Sequence, residues 1–274
     1  MSRDMMINRS LVASGDTKPW TSRGRLVLAT VFMTLAVFAF TTSTSAAAEP
    51  ARSAQADGLL KKMSDFMSGL KSFSVDTTNT MEYIDTNGQK LDFGANGKAS
   101  VMRPDRLVAH RVDLNQDDSV YYDGKTVTVY AKQQNFYATA PVPANLDDAL
   151  DFMRDLIQID LPGADLLYSD IYKGMTWNET SSSYVGKESI GGKSVDHLAF
   201  RTPEIDFQIW IQDGDQPLPM RYLITSKWVT GAPQYGVEMS HWVVNPKLDP
   251  KIFEFKAPAG ATKIDFLTSQ GAKP

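Results

Sequence analysis

Between residues 73 and 244, apolar side chains recur at every second position in short runs, and clusters of turn-forming residues end the runs. A period of two puts successive side chains on opposite faces of an extended strand, so these runs demand an antiparallel sheet with one buried face. The first run, 73–83, alternates Phe73, Val75, Thr77, Asn79, Met81 and Tyr83 with Ser, Asp, Thr and Glu. Asp85-Thr86-Asn87-Gly88 closes it, and Asn-Gly supplies the positive φ of a tight hairpin turn. Runs 91–102, 107–114, 119–122, 125–131 and 136–139 follow, with Arg103-Pro104-Asp105, Asp117-Asp118 and Asp123-Gly124 among the breaks. After an interruption come 184–188, 193–201, 207–212, 220–229 and 235–244, with Gly191-Gly192 and 213–216 as turns.

Two stretches keep a helical period instead. Leu59, Leu60, Met63, Phe66, Met67 and Leu70 recur three and four apart, predicting an amphipathic helix over 57–70. Pro141-Val142-Pro143 ends a strand, and Asn145 with Asp148 offers an N-cap and an acidic first turn. Leu146, Ala149, Leu150, Met153, Leu156 and Ile157 then form a stripe, Pro162-Gly163 breaks it, and 164–172 reads as a shorter second helix. The expected fold is mainly β (α+β): a curved antiparallel half-barrel of about ten strands, with an amino-terminal helix and a helical lid inserted at 145–172. Residues 57–274 read as a single domain, since no repeat or second composition zone divides them.

Residues 1–48 have a different character. Five basic residues precede a fifteen-residue uncharged core at 26–40, and Ala46-Ala47-Ala48 follows a polar stretch. Basic lead, short apolar core and small-x-small are the parts of a secretory signal, with Ala46 and Ala48 at the cleavage site. The core is shorter than the about 20 residues a membrane span needs, although an uncleaved anchor is the alternative. Removing this segment from the 274-residue chain leaves 226 residues and moves the formal charge from −4 to −7. Residues 49–56 read as a linker. An acidic exported chain without cysteine fits the bacterial periplasm and excludes disulfides, thiolate metal sites and nucleic acid as main partner.

Several segments resemble a known family: Tyr122-Asp123-Gly124-Lys125, Asn135-Phe136-Tyr137-Ala138, Leu161-Pro162-Gly163-Ala164-Asp165-Leu166-Leu167, Tyr184-Val185-Gly186, His197-Leu198-Ala199-Phe200-Arg201, Gln208-Ile209-Trp210-Ile211, Pro219-Met220-Arg221 and Pro233-Gln234-Tyr235. They are similar to a family of predicted periplasmic proteins of unknown function. That family in turn resembles the lipoprotein-localisation (LolA/LolB-like) superfamily of carriers and receptors. The resemblance spans roughly residues 56–264. It implies a half-barrel closed by helices around an acyl-chain cavity, and it brings no catalytic motif.

The expected ligand is therefore a hydrophobic molecule, such as a lipid or a lipoprotein acyl chain, held without chemistry or cofactor. Its cavity is expected on the inward faces of four strands. Val108, His110 and Val112 come from the first, Phe207 and Ile209 from the second. Met220, Tyr222, Ile224 and Trp228 come from the third, and Val237, Met239 and His241 from the fourth. Leu150, Met153 and Ile157 are the expected lid, methionine being adaptable to varied apolar ligands. His110 and His241 face inward in this reading, either bonding a ligand headgroup or satisfied within the core; His197 has no decided face. Asp148, Asp151 and Asp155 share a helix flank that is solvated or docks a basic partner. Asp113-x-Asn115-x-Asp117 copies the start of a calcium loop, but Asp118 stands where glycine is needed and Gly124 where glutamate is, so no metal is expected. No nucleophile elbow or phosphate loop occurs. The alternatives are a periplasmic sensor or regulatory module that binds a protein partner, and an envelope hydrolase.

Overall fold

A computed structural model of the chain describes residues 51–155, 157, 161 and 163–266. The export signal expected over 1–48, with Ala46 and Ala48, lies outside the described residues, as do Glu49 and Pro50 of the expected linker and Leu156 of the expected helical stripe.

Helix α1 (Ala54–Gly69) starts earlier than the apolar stripe alone indicates, and takes in the last three residues of the expected linker. The cause is a cap: the Ser53 hydroxyl accepts from the Ala56 N–H at 3.2 Å. The Ser53 N–H donates to Ser182 Oγ at 2.9 Å, and that hydroxyl donates to Asp57 at 3.0 Å. The helix start is thereby tied to a strand far along the chain.

Six strands follow: β1 (Ser72–Ile84), β2 (Lys90–Met102), β3 (Arg106–Asp113), β4 (Asp117–Tyr122), β5 (Thr126–Ala131) and β6 (Phe136–Pro141). Helix α2 (Leu146–Asp155), a 3-10 turn (Ala164–Leu167) and helix α3 (Ile171–Thr176) interrupt them. Then come β7 (Ser181–Ile190), β8 (Lys193–Arg201), β9 (Ile205–Gln212), β10 (Pro219–Ser226) and β11 (Gln234–Val244). A 3-10 turn (Pro250–Phe253) leads to the short β12 (Thr262–Ile264).

All the strands belong to one open, curved sheet in the order β12-β6-β5-β4-β3-β2-β1-β11-β10-β9-β8-β7, twelve strands rather than ten. Every pairing is antiparallel except β12 with β6, which is parallel. The order joins two meanders through β1 and β11. It also puts β6 near one edge and β7 at the other, so the chain between them must travel across the sheet. That connection carries α2 and α3. Their apolar faces join α1 and the inward strand residues in a single core cluster.

Three local readings are corrected. The helix expected over 164–172 is two pieces, because Asp170 accepts from the Lys173 N–H at 3.0 Å and starts α3 afresh. The strand expected over 220–229 ends at Ser226, where a turn begins. In β11 the pairing with β1 steps from Ser74↔Val243 to Asp76↔Ser240, so an extra residue bulges there and reverses the alternation.

Candidate functional site

The concave face differs between its two halves. Under β8–β10 it is filled. Leu198, Ile209 and Tyr222 form one cross-strand row, Phe200, Phe207 and Ile224 the next, and the Phe200 and Phe207 rings stack at 4.7 Å. Leu60 and Met63 of α1 and Ile171 of α3 are fully buried in the same core. Burial pushes the Tyr222 phenol well above its ordinary pKa, and Asp165 in the overlying 3-10 turn adds to the effect.

Under β1–β5 the corresponding rows carry small side chains. Val75, Ala99, Ala109, Val120 and Val129 lie side by side across five strands. Two alanines at the centre of such a row cannot reach the covering segment, and the result is a cavity of about 260 Å³. Phe73, Leu107, Val237, Met239 and Trp242 complete its apolar wall, and Met67 of α1 joins Leu161, Ala164, Leu166 and Leu167 as the roof. Trp242 is aimed by its indole N–H, which donates to the Pro219 carbonyl at 3.1 Å.

One row further along the strands the wall turns polar. Thr77, Gly97, Arg111 and Asp118 pair in succession across β1–β4, and all four border the cavity. Gly97 is needed for close approach here: a Cβ would fall 2.6 Å from Thr77 Oγ1 and 3.0 Å from the His110 carbonyl oxygen. Arg111 reaches Asp113 at 3.2 Å, while its Nε is buried without a hydrogen-bond partner. Burial, helped by Asp113 and opposed by Arg111, raises the Asp118 carboxyl above the usual carboxylate range. Beside them the Tyr235 hydroxyl donates to Asn79 Oδ1 at 2.7 Å, and the Asn79 amide donates to Thr77 Oγ1 at 3.1 Å.

The roof is held from outside the cavity. The Tyr168 hydroxyl donates to Asp151 at 2.8 Å, and Arg154 bonds both Asp151 and Tyr168. Asp147 accepts from the Ser169 N–H at 3.0 Å. At the start of α2 the Tyr122 hydroxyl donates to the Pro143 carbonyl at 2.8 Å, and burial pushes this phenol up to about 12. Asp151 on the acidic flank is thus part of a clamp.

The residues expected to line the cavity divide. Val237 and Met239 line it. Phe207, Ile209, Met220 and Tyr222 are buried in the filled half, and Ile224 packs partly buried against the same core. Leu150, Met153 and Ile157 are also consumed by packing, so the roof belongs to the following segment instead. Val108 and Val112 are corrected. Leu107, Ala109 and Arg111 take the inner face of β3, so the intervening side chains point outward. His110 still borders the cavity, although its imidazole lies 2.7 Å from Asp117. His241 is corrected too: at the bulge it takes φ 50°, turns 81% exposed to solvent and lies 3.2 Å from Asp76. Trp228 sits in the turn after β10 and is exposed. His197 lies on the outer face, stacked on Trp210 at 4.0 Å and bonded to Gln208 at 2.8 Å. Asp113 accepts from the N–H groups of Asn115 and Gln116 and so closes an ordinary acidic turn. Ala99, Ala109 and Gly97 were not anticipated; a run of small residues on one strand face is the signal that marks them.

The sheet is thus open and curved rather than a closed barrel, with a roofed apolar hollow on its concave face. The chain belongs to the family of predicted periplasmic proteins DUF2092, whose model matches residues 56–267. Its periplasmic address agrees with the export signal read from the sequence. Comparison with curated proteins gives no match. Among solved structures the chain is similar to LprF from Mycobacterium bovis, at 16% identity and TM-score 0.43, covering 74% of this chain and 99% of that one. It is similar to the Pseudomonas aeruginosa MucA/MucB complex structure at 14% identity and TM-score 0.42, covering 74% of this chain and 62% of that one. A LolA superfamily protein from Nitrosomonas europaea is similar at 11% identity and TM-score 0.37, covering 73% and 97%.

Proposed function

We propose that this periplasmic protein binds a hydrophobic ligand, the acyl chain of a lipid or lipoprotein, in the roofed hollow under β1–β5 and acts as its carrier or receptor. The observation that carries this reading is the central pair Ala99 and Ala109, which opens about 260 Å³ beneath an apolar roof. That volume lies just below the roughly 300–1,000 Å³ of ordinary small-molecule pockets, so it suits one chain rather than a multi-chain lipid. Burial of apolar surface supplies the driving force at about 25 cal/mol per Å², before ordering costs. The polar end of a chain short enough to fit the hollow would meet Thr77, Arg111 and Asp118 at the mouth, and no reaction is needed.

The test is native mass spectrometry of protein purified from its periplasm without detergent, followed by solvent extraction. The expected result is a bound species of lipid mass that extraction removes. Bare chain only, with no uptake of a fluorescent fatty-acid probe, would refute the proposal. A stoichiometric protein partner without lipid would refute it in favour of a sensor module.

A further inference from the structure

The β1–β2 hairpin runs well past the cavity. Its strands pair without interruption from Ser72↔Met102 to Ile84↔Lys90, whereas β3 leaves β2 at Ala95 and β11 leaves β1 at Met81. Because no bulge intervenes, the inner face that carries Val75 and Thr77 continues into Met81, Tyr83, Leu91 and Phe93. Tyr83, Leu91 and Phe93 are exposed, and the rings of Tyr83 and Phe93 meet edge to face at 5.6 Å. Exposed apolar surface gathered in this way marks an interaction site.

We infer that this strip is the outer half of the ligand site and takes the part of a long acyl chain that the hollow cannot hold. This rests on the reading proposed above and names its ligand more closely: a single chain longer than the cavity. Three observations choose this occupant. The strip is continuous with the cavity wall, since Met81 pairs with both Phe93 and the wall residue Tyr235. Between strip and hollow, Asn79 is bonded to Tyr235 and Thr77, so an apolar chain can cross that row without stranding a polar group. The charges of the hairpin lie on its other face or at its tip: Glu82 paired with Lys90 at 2.9 Å, together with Asp85 and Asp92. Their negative balance disfavours an anionic bilayer as occupant. From Asn79 to Tyr83 the strip adds about 14 Å at ~3.4 Å per residue.

Lysophosphatidylcholines from decanoyl to stearoyl, kept below their micellar concentrations, test this by calorimetric titration of wild type and Tyr83→Ser/Phe93→Ser. Both side chains are exposed, so the variant should melt as wild type does. A fully buried methylene gives about fourfold in affinity, and one lying on an open strip about twofold. Wild type should gain about twofold per added methylene beyond the shortest chains. The variant should bind short chains equally and lose that gain. Equal gains in both proteins, or a flat series in wild type, would overturn the inference while leaving the cavity reading intact. A flat series with loss of co-sedimentation on phosphatidylethanolamine/phosphatidylglycerol vesicles in the variant would overturn it in favour of a bilayer surface. Failure of every chain to bind would overturn both.

Discussion

Replacing Ala109 by leucine places three added carbons where the structure has space. Ala109 pairs with Ala99 on one side and Val120 on the other, and its methyl group faces the cavity. At about 0.8 kcal/mol per buried carbon the substitution gains ~2.4 kcal/mol, and rotamer ordering takes back about 0.5–1. A net gain of about 1.5 kcal/mol corresponds to a rise of roughly 3–6 °C in Tm for a domain of this size. The same side chain displaces an equal length of ligand, so affinity for an acyl probe should fall about fiftyfold. Calorimetry on lipid-free protein and displacement of a fluorescent fatty acid read the two effects. In a filled core the added volume would instead cost about 1–3 kcal/mol. A fall in Tm, or unchanged probe affinity, would show that the hollow is not where the ligand sits.

Further outcomes follow from the roof and the mouth. Gly163 holds φ +81° beside the roof turn, and an added Cβ would find only ordinary contacts at 3.8 Å, so Gly163→Ala should cost about 1–2 kcal/mol from backbone strain alone and speed ligand release in stopped-flow displacement. Tyr122→Phe should cost about 1 kcal/mol by chemical denaturation, because the Pro143 carbonyl loses its donor. The Tyr122 phenol titrates near 12 when folded against an ordinary 10, so wild type loses stability as pH rises between those values, and the variant should lose less. Asp118 is raised by burial, so its charged form is a burden above the ordinary carboxylate range. Asp118→Asn should therefore raise Tm at neutral pH, and the gap should close as pH falls through the folded pKa towards the unfolded one.

Strand existence and order of appearance were legible because the period of two is strong and turns such as Asp85–Gly88 carry their own chemistry. Asp85 accepts from the N–H groups of Asn87 and Gln89, and a sequence can announce that turn unaided. The inner face of β3 was not legible, for a physical reason. A strand that lines a hollow keeps small or polar residues inward, here Ala109 and Arg111. Val108 and Val112 on its outer face then outscore them in apolarity. Hydrophobic ranking finds filled cores such as Phe207 and Ile209 and passes over cavities. The β11 bulge, which sends His241 outward and Trp242 inward, is a property of pairing with β1 that neither strand records alone. Nor could the sequence show that the meanders meet at β1 and β11, and that meeting forces the α2–α3 connection across the concave face.

The most direct measurement uses Trp242 as a reporter inside the hollow. An acyl chain brominated at mid-length should quench a distinct fraction of the tryptophan emission of lipid-stripped wild type, saturating with the chain. Trp242→Phe should lack that fraction while the exposed Trp177 and Trp228 continue to emit. Equal quenching in the two proteins, or none in wild type, would contradict the claim that the cavity under β1–β5 holds the ligand.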